Sequence, residues 1–281
     1  MSRTNYLNNR DMLKEIHLSK NSYCTFVDPV RDHQFDLILH KIGDVGKRKT
    51  VSEARANRIE RIRKETGEEV SARSIPVTDL VFRVMTWQHI PLAPPRPARP
   101  TRASKVKKLM EEIEPVLEET DDEADQLVMT APDPTHVRVN FPPFQHYRLT
   151  EDLEPVCVGK SHWRGDLNSG EFSKTHGQMT DTLALMFMKL CERYATRSNW
   201  RGYTYNDEMR GAALLQLSQI GLQFDESKSS NPFSYYTAAL TNSFTRILNI
   251  EKKNQAIRDD ILEANGLTPS FTRQMSWRQE Q

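Results

Sequence analysis

The stretch "NPFSYYTAALTNSFTRILN", residues 231–249, sets Phe233, Tyr235, Tyr236 and Phe244 on more than one face of a helix. Core packing accounts for Phe233, Tyr236, Leu240, Phe244, Ile247 and Leu248, which recur nearly at the three- and four-residue intervals of one buried stripe. Tyr235 lies off that stripe, and Thr237, Thr241, Asn242, Thr245 and Arg246 fill the rest with hydrogen-bonding groups of mostly modest helix propensity. Donors and acceptors beside aromatic faces suit exposed nucleobases, for which stacking is worth about 1–3 kcal/mol per base. Lys252 and Lys253 follow at once, placed to grip phosphates of the same strand. Two readings stand: a structural helix with a wet face, or a helix that binds nucleic acid.

Other groups with chemical potential are scattered. The eight histidines, His17, His33, His40, His89, His136, His146, His162 and His176, pair with no other ligand at a spacing typical of zinc. "GKSHWRGDLNSG" holds Lys160, Ser161, His162 and Asp166, but a hydrolase needs a geometry that neighbourhood in sequence does not supply. Cys24, Cys157 and Cys191 are odd in number and far apart, which argues against a disulfide framework and fits a reducing cytosol. No catalytic set, metal or cofactor is expected.

The totals narrow the classes. A chain of 281 residues exceeds one typical domain and can bury a real core. Its net charge of +1 excludes a chain-wide positive field, so any hold on nucleic acid has to come from a local patch. No apolar run approaches the roughly 20 residues that cross a bilayer, and the start "MSRTNYLNNRDMLKEI" lacks the apolar stretch of a secretory signal. No membrane partner is expected.

The elements that position these groups can be sketched along the chain. Residues 1–20 hold a short helix, capped by Asn8 or Asn9, with Met12, Leu13 and Ile16 as its stripe. Residues 21–90 read as a small α+β segment: strands in "CTFV" and "FDLILHKI", then the basic amphipathic helix "TVSEARANRIERIRKETG", ended by Gly67, then a strand in "VTDLVFRVMTWQHI". The basic helix is a solvated face by default and a phosphate-gripping or partner-binding one in the sharper reading. Residues 91–134 form a linker, Pro-rich at "PLAPPRPARPTR" and acidic over 110–125, with nine carboxylates and no basic residue. Residues 135–177 are turn-rich, with a strand expected in "THVRVNF" before the Pro-Pro turn.

From Met179 the texture becomes helical. Thr180 caps a first helix with Leu183, Phe187, Leu190 and Tyr194 inward; Thr204 or Asn206 caps a second with Met209, Ala213, Leu217 and Ile220 inward. Asn231 caps the third, with Pro232 at its first position and Gly266 at its end. Residues 178–266 therefore read as one helical module, and 267–281 as a tail with a final short helix. The fold class expected is mainly α, with a helical module at the C-terminal end behind an α+β or partly disordered segment.

Residues 199–255, together with "NYLNNRDMLKEI" near the start, resemble the late-promoter sigma factor of large tailed, T-even-like bacteriophages, a divergent relative of the bacterial primary sigma family. The Gly-Tyr-Thr entry, the acidic-Met start of the second helix, "FDESKSSNP" and the aromatic third helix with its basic end carry the likeness. It covers the two ends of the chain, so roughly residues 21–175 stand as an insertion. The resemblance implies that the helical module is sigma-region-2-like and that the chain is a sigma-type transcription initiation factor, in the cytoplasm of an infected bacterial host, that binds core RNA polymerase and directs it to late promoters. There it opens a minus-ten-like A/T-rich element and catalyses no reaction itself.

On that resemblance, Asp207, Glu208, Arg210, Gln216 and Gln219 meet the clamp coiled coil of the polymerase. Phe224 and Tyr236 enclose an extruded adenine. Phe233, Tyr235 and Asn242 complete the pocket or the single-strand track, and Ser243 and Arg246 lie near the upstream duplex edge, with Lys252 and Lys253 on phosphates. The chain departs from the cellular family in having Ala239 and Leu240 where a tryptophan pair wedges the fork, and Arg210 and Gly211 where acidic and amide groups stand. Weaker melting, or reliance on a coactivator, follows. A sliding clamp is the further partner implied, although the tail here, with Phe271, Met275 and Trp277, is basic rather than acidic. The acidic block suggests masking of the DNA-binding residues. The alternative is a polymerase-binding transcription regulator without promoter recognition.

Overall fold

The computed structural model describes residues 7–93 and 136–279. Most of the Pro-rich linker, and the whole acidic block with its suggested masking role, lie outside the described residues. The chain is about 48% helical, with six helices and a small mixed sheet among those residues. It divides into two units, Met1–His89 with Val139–Gln281, and Ile90–Arg138. In the second, Leu92 bridges His136, and the Val137 amide donates to the Pro91 carbonyl at 3.0 Å.

The first unit is built on a five-stranded sheet of order β1-β5-β4-β3-β2, with β1 Cys24–Phe26, β2 Leu37–Leu39, β3 Val81–Met85, β4 Phe144–Leu149 and β5 Pro155–Ser161. β1 pairs with β5 and β4 with β3, all antiparallel, so segments 21–90 and 135–177 form one sheet rather than two separate pieces. Only β2 and β3 run parallel, with helix α2, Arg48–Thr66, on the connection between them. Parallel neighbours need such a crossover, whereas β4 and β5 need only a short hairpin. The strand expected before Pro142 and Pro143 lies after them, at Phe144–Leu149, since proline has no amide to give a ladder. A β6–β7 ribbon, Trp163–Arg164 with Glu171–Phe172, follows β5.

Period-two alternation gives the sheet two different faces. Phe82, Val84, Tyr147 and Leu149 pack with Leu39 and with Ala54 of α2, whose terminal Gly67 is left-handed at φ 77°. The other face carries Arg83, Phe144 and His146 and meets the helices. At Gly159 of β5 the Phe26 ring passes so close that a Cβ would lie 2.5 Å from it, so the position requires glycine.

The helices are α1 Asn9–Asn21, α3 Asp181–Ala195, α4 Asn206–Ile220, α5 Pro232–Ala264 and α6 Phe271–Gln279. Asn8, Thr180 and Asn231 cap α1, α3 and α5 through side-chain oxygens, satisfying amides that a helix start leaves without partners. α4 differs from expectation: Tyr205 holds its cap position without a side-chain bond, and Asn206 instead donates to the Ala195 and Trp200 carbonyls at 3.1 and 2.8 Å. α1 belongs to the bundle rather than standing apart. Its Asn9 accepts from the Phe233 amide at 3.1 Å, and its Glu15 accepts from the Thr180 hydroxyl at 2.8 Å. Met12 and Ile16 are fully buried in the same core as Leu183, Phe187, Met209, Leu217, Leu240 and Phe244. Among the described residues, no helix is long and apolar enough to cross a membrane.

Candidate nucleic-acid interface

Helix α5 runs for 33 residues, about 50 Å at 1.5 Å per residue. Its inward stripe is set by Tyr236, Leu240 and Phe244, each 0% exposed. Tyr236 stands edge-on to Phe187 at 4.8 Å and donates its hydroxyl to the Gly221 carbonyl. Phe244 packs between Tyr194 and Trp200, at 5.0 and 5.3 Å, and the Tyr194 hydroxyl meets that of Thr241 at 2.7 Å. Burial raises the Tyr236 phenol well above its ordinary range, so it stays a neutral donor.

Three of the residues expected to touch DNA lie inside this packing. Phe224, Tyr236 and Ser243 are 2%, 0% and 1% exposed, with no face open to a base. The reason is spacing: 236, 240 and 244 repeat every four residues, and Ser243 shares their side of the helix. Phe224, in the loop before α5, closes the core from beneath and stands edge-on to Tyr235 at 5.6 Å.

The other six expected DNA residues reach the surface. Asn242, Arg246, Lys252 and Lys253 are exposed, and Phe233 and Tyr235 are half-buried. Helical spacing sets Tyr235, Asn242 and Asn249 in line, seven residues apart. Asn242, Thr245, Arg246, Asn249, Ile250 and Lys253 line one shallow depression. Tyr235 to Lys253 spans about 27 Å. Residues 231–250 contain no carboxylate; the first is Glu251. An outward strip of one aromatic face, amides, a guanidinium and an ammonium can stack a base, hydrogen-bond base edges and hold phosphates.

The second expected surface is on α4. Asp207, Glu208, Arg210 and Gln219 are exposed and Gln216 is half-buried. Asp207 and Arg210 pair along the helix at 3.2 Å, which at such exposure contributes little stability. Sequence reasoning missed Leu215, 62% exposed between Glu208 and Gln219 on the same outward side. The signal was present: Leu214 and Leu217 satisfy the inward stripe, leaving Leu215 without an inward place.

The basic helix α2 does not offer its full charge to a ligand. Arg58 and Arg61 both reach the buried Asp36 carboxylate, at 3.2 and 2.6 Å, and donate to the Asp79 and Phe35 carbonyls. The "GKSHW" group is equally committed: the Ser161 hydroxyl accepts from the Phe144 amide at 2.9 Å, and Lys160 donates to the Leu167 carbonyl at 2.5 Å. Among the described residues, no three of His, Cys, Asp or Glu are grouped to hold a metal ion.

Beneath the start of α5 lies a buried charged cluster. Lys20 of α1 and Arg83 of β3 are 1% and 0% exposed at their side chains, and Glu226, in the α4–α5 loop, is 7% exposed. Lys20 donates to the Glu226 carboxylate and to the Phe224 carbonyl, both at 2.7 Å. Arg83 lies 3.8 Å from the other Glu226 oxygen, sandwiched between the rings of Phe35 and Phe144 at 3.9 and 3.8 Å. Its Nε donates to His146 Nε2 at 2.9 Å, and His146 Nδ1 donates to the Asp32 carbonyl at 2.7 Å. Burial alone would raise the Glu226 carboxyl; Lys20 and Arg83 outweigh it and hold it down at about 2.

These environments dictate acid lability. Burial, then the Arg83 charge, keeps His146 neutral well below 6.5, and burial takes His162 down to about 3. The unfolded chain binds protons below pH 6.5 that the folded chain refuses, so stability falls as pH drops from 6.5 toward 4. Glu226 extends the loss from 4.5 toward 2. Urea unfolding should register a loss on the order of 3–5 kcal/mol between pH 7 and pH 4.5. Equal stability at the two pH values would contradict these burials.

No family model, curated protein or solved structure matches this chain. The class the architecture defines is a helical bundle built against one face of a mixed sheet, with α2 on the other.

Proposed function

We propose that the chain is a sigma-type transcription initiation factor. It binds core RNA polymerase through the outward side of α4 and holds the opened strand of an A/T-rich late promoter along α5. The observation that carries this reading is the outward strip of Tyr235, Asn242, Arg246, Asn249 and Lys253, on a helix with no carboxylate over residues 231–250. Its length matches several nucleotides of extended strand, and its chemistry is that of single-strand binding, stacking plus phosphate attraction. The resemblance of residues 199–255 to phage late-promoter sigma factors supplies the polymerase, the late promoter and the infected bacterial cytoplasm. A coactivator and a sliding clamp belong to the same proposal.

The burial of Phe224, Tyr236 and Ser243 favours a second reading, a polymerase-binding regulator that does not capture a promoter base. Run-off transcription with purified core polymerase on late-promoter templates separates the two. Tyr235→Leu keeps packing against Phe224 and Tyr236 while removing the flat ring. It should weaken binding to forked promoter DNA by about 1–3 kcal/mol and reduce promoter-specific transcripts in step. Arg246→Ala with Lys253→Ala should lower the salt dependence of binding by about two phosphate contacts. Leu215→Glu should abolish polymerase binding and leave DNA binding intact. Polymerase binding without any promoter-specific transcript from the wild-type chain would favour the regulator.

A further inference from the structure

We infer that Arg83 and Lys20 are positioning residues for the reading helix: through Glu226 they fix the α4–α5 loop, so the inserted sheet sets where α5 begins. This rests on the reading of α5 just given. The loop's anchor is a single carboxylate shared by two buried cations from opposite sides, Lys20 on the bundle and Arg83 in the middle of the sheet. Lys20 also holds the Phe224 carbonyl, so one ammonium fixes the loop at two residues.

On the sheet side, Arg83 is tied to His146 through Nε and aims its other end at Glu226. Its terminal nitrogens, Nη1 and Nη2, are buried without a hydrogen-bond partner, and Phe35 and Phe144 hold the guanidinium plane from both sides. An arginine needed only for its bulk would be replaced at no loss by an apolar residue, since an incompletely bonded buried charge is costly. Here the cost buys a fixed positive point that Glu226 must face. Four residues separate Glu226 from the cap Asn231, and Tyr235 stands in the first turn of α5. Loss of the anchor therefore loosens the first turn of α5, where the aromatic start of the strip stands.

Two variants of the full chain test the inference, Glu226→Gln and Arg83→Met, by amide hydrogen exchange and by binding to forked promoter DNA. Each should speed exchange at residues 221–235 at least tenfold while leaving α2 unchanged. Each should also weaken fork binding about tenfold while leaving polymerase binding intact. Unchanged exchange at 221–235 in folded variants overturns the inference. So does a uniform rise that includes α2, or failure of both variants to fold, because the cluster would then support the whole unit rather than the loop. A wild-type chain that binds no DNA sinks the reading of α5 and leaves the exchange result to decide the anchor by itself.

Discussion

Asp36→Ala is expected to cost about 3–5 kcal/mol of stability, the largest loss from any single carboxylate of the sheet layer. Its side chain is fully buried and accepts from Arg58, from Arg61 and from the Val81 amide, at 3.2, 2.6 and 2.9 Å. The Asp36 amide in turn donates to the Val81 carbonyl at 2.8 Å, so the residue welds the entry of β2 to the entry of β3. Removing the carboxylate leaves two guanidinium groups, roughly a quarter exposed, and one buried amide without their acceptor. Asp36→Asn keeps an acceptor for the amide and should lose less. Adding Arg61→Leu to Asp36→Ala should recover part of the loss, because the unpaired charge is itself the penalty. Urea unfolding monitored by circular dichroism measures all three, and a loss below about 1 kcal/mol for Asp36→Ala would show that α2 is not tied down in this way.

Tyr236→Ala carries the other large expectation, about 3–5 kcal/mol, as for other large aromatic truncations in a core. The ring fills the space between Phe187, Phe224 and Tyr235. Tyr236→Phe separates packing from bonding: it keeps the ring and strands the Gly221 carbonyl, which should cost about 1–3 kcal/mol. The pair also discriminates between core and base pocket. If Tyr236 serves the core, Tyr236→Phe lowers the unfolding midpoint and leaves DNA affinity unchanged at temperatures where the variant is folded. A lost DNA affinity with an unchanged midpoint would instead return the residue to the promoter strand.

The local part of this fold was readable from the residues, and the long-range part was not. Asn8, Thr180 and Asn231 announced helix starts because a cap acts on amides two or three positions away. The α5 core stripe was equally legible, since periodicity is a local property. Asn206 failed as a cap because carbonyls at 195 and 200 competed for its amide group. The sheet escaped for the same kind of reason: β1 finds its partner at residues 159–161, and nothing near residue 24 encodes that choice. Tyr235 was correctly separated from the inward stripe, whereas Phe224 and Tyr236 were assigned to DNA on resemblance although the stripe already placed Tyr236 inside. Nothing in the sequence joins Lys20, Arg83 and Glu226, because a buried ion pair leaves no mark when its members are more than 60 residues apart.

The separation of α1 from its partners has a consequence for synthesis. Asn9 waits for Phe233, 224 residues later, and Lys20 waits for Phe224, 204 residues later. Until residues 224–233 have been made, α1 cannot complete these contacts, and Met12 and Ile16 lack part of the core that buries them. Contacts so distant along the chain close slowly. The finished protein conceals both side chains completely.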